Sequence, residues 1–247
     1  MHLRLLTLIP ICASLLLAQE TPPGVAPATE APKPSVKKLD ATHYQIGGIS
    51  FDEKTREIRF PAKVNMTEGL LEFLIVHQNG KVHEALLSTE ISPTDLNLAF
   101  TLLRYPPSRE LYPLPEEDGA ASSKFPVVPS DTKTRARIAI DVEWTMDGKV
   151  RRVPINEWLQ HAVKATSMPA GPWVYGGSEF FEGKFIAETS GDIAAIFLAM
   201  SALINYPGDD NHSDDVWTPF PKRVPPLETN VTVIIAPFQK QLPHSKP

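Results

Sequence analysis

Apolar residues in this chain recur in two rhythms, and the densest stretch, Leu70 to Arg104, contains both. LLEFLIV is a nearly unbroken apolar run, and EALLST resumes after HQNGKVH. Asn79-Gly80 stands between them, and this dipeptide favours a type I′ hairpin turn because both residues tolerate positive φ. The spacing therefore predicts an antiparallel hairpin that pairs Gln78 with Lys81, Val76 with His83, Ile75 with Glu84 and Phe73 with Leu86. A helix follows. Ser92 is suited to the N-cap, Pro93 to the first turn and Asp95 to the positive end of the dipole. Leu96, Ala99, Phe100 and Leu103 then fall at helical spacing along one face. Tyr105-Pro106-Pro107 ends the pattern.

Period-two alternation returns at Ala136, Ile138, Ile140 and Val142. Asp147-Gly148 then turns the chain toward Val150 to Val153, a second predicted hairpin. Tyr44 to Ile46, Glu57 to Val64, Trp173 to Tyr175, Phe181 to Ala187, Asp192 to Phe197 and Val231 to Ile235 read as further strands. Ile155 to Val163 reads as a short helix bearing Trp158, and Ala199 to Ile204 as one or two helical turns. Residues 105–132 carry little periodicity and read as a long, partly mobile surface loop. The expected fold is α+β: antiparallel β-hairpins, one well-capped helix packed on a sheet face, and long Pro-rich loops.

Composition supports strands separated by rigid loops. Twenty-five prolines in 247 residues are about twice the usual share of roughly 5%. The first residues change the expected address. Arg4 precedes LLTLIPICASLLLA, an apolar run too short to span a bilayer, so residues 1–18 read as an export signal cleaved after Ala18. Residues 19–38, rich in Pro and Ala, read as a disordered tether. Residues 39–238 form a single globular domain in this reading, and 239–247 a flexible tail. The lone Cys12 would leave with the signal, which removes disulfide and thiolate chemistry from the mature chain. One Arg and no acid go with it, so 23 basic residues face 29 acidic ones, a net charge of −6. That balance disfavours nucleic acid and anionic membrane surfaces.

Several runs together resemble the YdjY-domain family, exported bacterial proteins without an assigned activity. They are EGLLEFLIV followed by GKVHEALLS, then DGKVRRVPINEWL, MPAGPWVYGGSEF and DDVWTPFPKRVPPLETNVTVII. The resemblance spans about Phe60 to Pro237. It implies no reaction that can be transferred. It matches the family's His-Glu pair to His83 and Glu84, and places Asn65 and Val76 where relatives often carry cysteines, so thiolate or iron–sulfur chemistry does not carry over.

Candidate chemistry is sparse. His83-Glu84 invites a metal or acid–base reading, but neighbours on an extended strand face opposite ways. The predicted register puts Glu84 on one face with His77 instead. HEALL carries Leu87 where the HExxH zinc motif needs its second histidine. GDDNHSDD places Asp209, Asn211 and Ser213 at calcium-loop positions, but Asp214 stands where the EF-hand needs Gly and Phe220 where it needs Glu. Trp173, Tyr175, Phe180, Phe181, Trp217 and Phe220 suit a binding groove, although core packing is the commoner use of aromatic residues. GGS lacks the GxSxG elbow of a serine hydrolase. The leading expectation is a non-enzymatic exported binding domain of the cell envelope, in the periplasm or at the cell surface. It needs no cofactor, and its partner is a protein or other envelope ligand. The alternative is a metal-assisted hydrolase or lyase that uses a divalent ion, His83 or His77, Glu84 and loop carboxylates. His77, His83, Glu84, Trp173 and Trp217 are the residues to locate.

Overall fold

A computed structural model describes residues 35–116 and 122–239. The expected export signal, most of the tether and nearly all of the tail lie outside the described residues.

The chain begins with β1 (Val36–Lys38), β2 (His43–Ile46), β3 (Ile49–Asp52) and β4 (Ile58–Val64). β5 (Phe73–His77), a 3-10 turn at Val82–Glu84, β6 (Ala85–Thr89) and helix α1 (Pro93–Leu102) follow. Next come α2 (Ser130–Arg135), β7 (Arg137–Met146), β8 (Lys149–Pro154), a 3-10 turn at Ile155–Trp158, β9 (Leu159–His161) and β10 (Trp173–Tyr175). The rest comprises β11 (Phe180–Phe181), β12 (Lys184–Phe185), α3 (Ile186–Ser190), β13 (Asp192–Ala195), β14 (Ile204–Asn205), β15 (Trp217–Pro219) and β16 (Asn230–Pro237). Val36–Lys38, the end of the expected tether, pairs with β2.

Eight strands close into a barrel. Their hydrogen-bonded order is β4, β16, β7, β10, β14, β13, β5, β6, and β6 returns to β4 through Lys63 opposite Ser88 and Val64 opposite Leu87. This overturns the α+β expectation. The domain is a mostly-β barrel with extra strands, and its helices among the described residues are short additions of ten, six and five residues. α1 starts as expected, with Ser92 Oγ accepting the Asp95 N–H at 3.2 Å. It packs beside β3 and α3, with Phe100 stacked on Tyr175 at 4.2 Å, rather than lying across a sheet face. Short apolar alternation is common to open sheets and barrels, and ring closure rests on pairings remote in sequence.

The barrel interior is filled. Ile58, Phe60, Ala62 and Val64 from β4 meet Ile138, Ile140 and Val142 from β7, and Val231, Val233 and Ile235 from β16. Trp173, Tyr175, Ile204 and Ile75 close the opposite wall, all buried. The interior is therefore a packed core rather than a ligand chamber.

The predicted first hairpin is also corrected. β5 and β6 run parallel, with Phe73 opposite Ala85, Ile75 opposite Leu87 and His77 opposite Thr89. Neither Asn79 nor Gly80 has positive φ, whereas Asp147 (φ 52°) and Gly148 (φ 71°) do form the second hairpin as expected. After Gly80 the chain crosses back through the 3-10 turn. Asn65 Nδ2 donates to Val82 O at 2.5 Å and Ala85 O at 2.7 Å, which fixes the crossover. Two-sided burial explains the unbroken FLIV run. Phe73 and Val76 belong to a satellite core with Ala85, Ala195 and Ala202, while Leu74 and Ile75 belong to the main core.

The 105–132 segment is largely anchored where described. Tyr105, Ser108 and Tyr112 are buried. Glu110 sits between Arg137, 2.8 Å away, and Lys133, 3.4 Å away.

Candidate functional site

The 3-10 turn removes the expected split between His83 and Glu84. Both lie on one turn, with His83 Nε2 3.7 Å from Glu84 Oε2; the His83 side chain is 77% exposed and Glu84 20%. His77 is elsewhere, at the end of β5, where its Nδ1 accepts the Asn79 N–H at 3.2 Å. The face shared by His77 and Glu84 in the predicted hairpin therefore does not exist.

Glu84 has other company. Burial, then the charges of Glu84 and Asp214, push the Glu72 carboxyl above its ordinary pKa, with Lys81 working the other way. The charge of one acid of the GDDNHSDD loop is thus felt at Glu72 alongside that of Glu84. Among the described residues, no three His, Cys, Asp or Glu side chains gather at metal-ligand spacing.

The raised carboxyl has a thermodynamic consequence. An acid whose pKa is higher in the folded state holds its proton more tightly there, so its contribution is most favourable at low pH and is lost as pH rises through the folded value. Glu72→Gln is therefore expected to be the more stable protein at neutral pH, by about 0.5 kcal/mol or less because the site is partly solvated. The gain should vanish in urea titrations near pH 4, about where an ordinary Glu protonates. An equal gain at both pH values would show that charge is not the cause.

Trp173 and Trp217 are core residues, 0% and 3% exposed. Trp173 Nε1 donates to Asn156 Oδ1 at 3.3 Å. Trp217 packs on Tyr206 and His161, and Tyr206 packs on Trp173. The expected aromatic cluster divides: Tyr175 is buried, while Phe180 and Phe181 protrude on the β11–β12 hairpin. Ser178 is a clasp between loops, donating to Ser201 O at 2.6 Å and accepting the Ala187 N–H at 3.2 Å.

A further concavity among the described residues is one that no motif marks. β7 changes partner along one edge: β10 pairs at Arg137 and Ile138, and β8 takes over from Asp141. Ala139 and Ile140 lie between these pairings at a fork in the sheet, and there a groove of 940 Å³ opens on the outer wall. Its floor holds Ala139 and Ala236, which sit opposite each other in the β7–β16 register. Pro154, Pro172, Pro237 and Phe238 form apolar walls, and Glu57 and Asp141 stand on the rim.

Those acids belong to an ion lattice. Arg59 reaches Glu57 at 2.6 Å and Glu143 at 3.4 Å, and Arg152 reaches Asp141 at 2.8 Å. Ile234 lies opposite both Arg59 and Asp141 in the register and is 1% exposed despite its outward position. The long cationic side chains on this wall account for that burial, since Arg stems cover apolar surface well. The sequence signal for the groove was present but weak: alanines at outward strand positions, where larger residues usually pack, flanked by prolines.

Comparison with known proteins gives one match. The YdjY domain family model matches residues 49–236. Neither a curated protein nor a solved structure matches the chain.

Proposed function

The chain belongs to the YdjY-domain family, and from that premise we propose that its domain is an exported, non-enzymatic binding module of the cell envelope that takes an extended protein segment in the β7 fork groove. The fork carries this reading. Ala139 and Ile140 line the groove at the point where neither β8 nor β10 pairs with them. An extended segment laid there can hydrogen-bond along a strand edge while apolar walls receive alternate side chains, the pattern of strand addition. The volume lies within the range of about 300–1,000 Å³ typical of ligand sites. Export is supported by Arg4 and the apolar run that follows it, and among the described residues no helix is long and apolar enough to cross a membrane.

Selection of random peptides on the immobilised mature chain tests the proposal. Selected peptides are expected to bind Ala139→Trp, which fills the floor, at least tenfold more weakly, about 1.4 kcal/mol. Equal binding to wild type and Ala139→Trp would sink the groove assignment. Fractionation tests export: the full chain should leave the cytoplasm with residues 1–18 removed, and a chain starting at Gln19 should stay inside.

A further inference from the structure

Two basic runs remote in sequence meet at a second cleft. Arg151 and Arg152 on β8 come together with Lys222 and Arg223, which follow β15, around a space of 510 Å³ bordered by Trp144 and Trp158. This is a basic island on an acidic chain, and among the described residues Glu157 is the one carboxylate lining it. Arg152 is already committed to Asp141 at 2.8 Å and reaches Glu57 at 4.0 Å, and among the described residues Arg151 reaches only the exposed Asp147, at 4.0 Å. Among the described residues, neither Lys222 nor Arg223 has a carboxylate within 4.0 Å.

Arg223 is nonetheless held in place. Its guanidinium lies 3.8 Å over the Phe220 ring, and Nη1 donates to Ser167 Oγ at 2.7 Å and Glu157 O at 3.3 Å. That leaves other donors of the planar fork available in a fixed orientation, which suits an oxyanion. Trp144 and Trp158, 7% and 1% exposed and packed edge to face, form a firm wall beside these cations.

We propose that this cleft binds a phosphate-type oxyanion, with Arg223 and Lys222 supplying the charge and the hydrogen-bond donors. The site is separate from the β7 fork groove. Pro154 and Asn156 line the groove, whereas Arg152, Val153 and Glu157 line the cleft. Failure of the peptide reading would leave this proposal standing.

The mature chain titrated with inorganic phosphate is the direct test, read by calorimetry and by the fluorescence of the two tryptophans at the cleft. Saturable binding is expected, weakened at least tenfold in Lys222→Gly/Arg223→Gln. Lys222 sits at φ 66°, so Lys222→Gly alone removes a cation at a backbone position glycine favours; it keeps the test valid if Arg223→Gln impairs folding. A parallel sedimentation assay compares phosphatidylglycerol vesicles with phosphatidylcholine vesicles. Binding to free phosphate without pelleting assigns the group to a soluble ligand. Pelleting with the anionic vesicles alone, lost in Lys222→Gly, assigns it to a lipid headgroup. No saturable response to phosphate or vesicles, or a response unchanged in Lys222→Gly and the double variant, would overturn the proposal.

Discussion

Replacing Trp173 with alanine is expected to lower the unfolding free energy by about 3–5 kcal/mol, a large part of the roughly 5–15 kcal/mol that stabilises a typical domain. Trp173 is fully buried, and it stands where β10 meets β7 through only a short ladder, Trp173 opposite Ile138 and Val174 opposite Arg137. The side chain, more than the ladder, therefore joins this part of the ring. Truncation would empty a large volume and strand Asn156 Oδ1, whose partner is the Trp173 N–H. Asn156 also holds Pro169 O at 2.9 Å, so the loss spreads to the loop before β10. Urea unfolding of wild type and Trp173→Ala measures the difference. Paired substitutions separate its two parts. Trp173→Phe forfeits a satisfied N–H, while Trp217→Phe forfeits one without a partner among the described residues, so Trp173→Phe should cost more. If Trp173→Ala falls within about 1 kcal/mol of wild type, the seam is not held as described.

A second large loss is expected at the crossover between β5 and β6. Gly191 ends α3 at φ +78°, and a Cβ there would lie 3.0 Å from Gly80 Cα and 3.2 Å from His77 Cβ. The opposing Gly80 is as confined, with Ser190 O at 3.0 Å and His77 O at 3.1 Å from its own added Cβ. Main chain meets main chain here, and the His77 N–H donates to Gly191 O at 2.7 Å, so neither side can yield. Gly191→Ala should cost about 2–4 kcal/mol: roughly 1–2 for a left-handed non-glycine residue and the rest for the overlap. Gly148→Ala is the matched control, because Gly148 has φ +71° and nothing within 4 Å of an added Cβ. It should show only the backbone part. Equal losses in the two variants, measured by the same urea titrations, would show that the crowding at Gly80 is immaterial.

The same pair of glycines explains why part of the fold was legible in the sequence and part was not. Asp147-Gly148 was read correctly as a hairpin because its flanking strands do pair with each other, and the turn geometry suffices to specify them. Asn79-Gly80 offered the same local signal, but Gly80 serves another need: it admits the backbone of Ser190 and Gly191. That neighbour lies more than a hundred residues away, and no local pattern announces it. The misplaced turn carried the site reading with it, since the opposed faces of His83 and Glu84 followed from an extended backbone that is a 3-10 turn instead. α1 was legible because caps and helical spacing are local properties. The burial of Trp173 and Trp217 was foreseeable from the ordinary use of large aromatics in cores. The groove and the basic cleft were not, because each forms where segments distant in sequence converge.

The place of β16 in the ring bears on the order in which the protein can be made. Residues Asn230–Ile235 pair with β4 on one side and Thr232–Pro237 with β7 on the other, so this late strand is a central stave and not an edge. A ribosome delivers the N-terminal strands first, and until residue 237 has emerged β4 and β7 can be joined just the long way round, through β6, β5, β13, β14 and β10. The unfinished chain cannot reach its native state piecemeal. Its completion and its folding are tied together, so closure of the ring is a late event in the life of the chain.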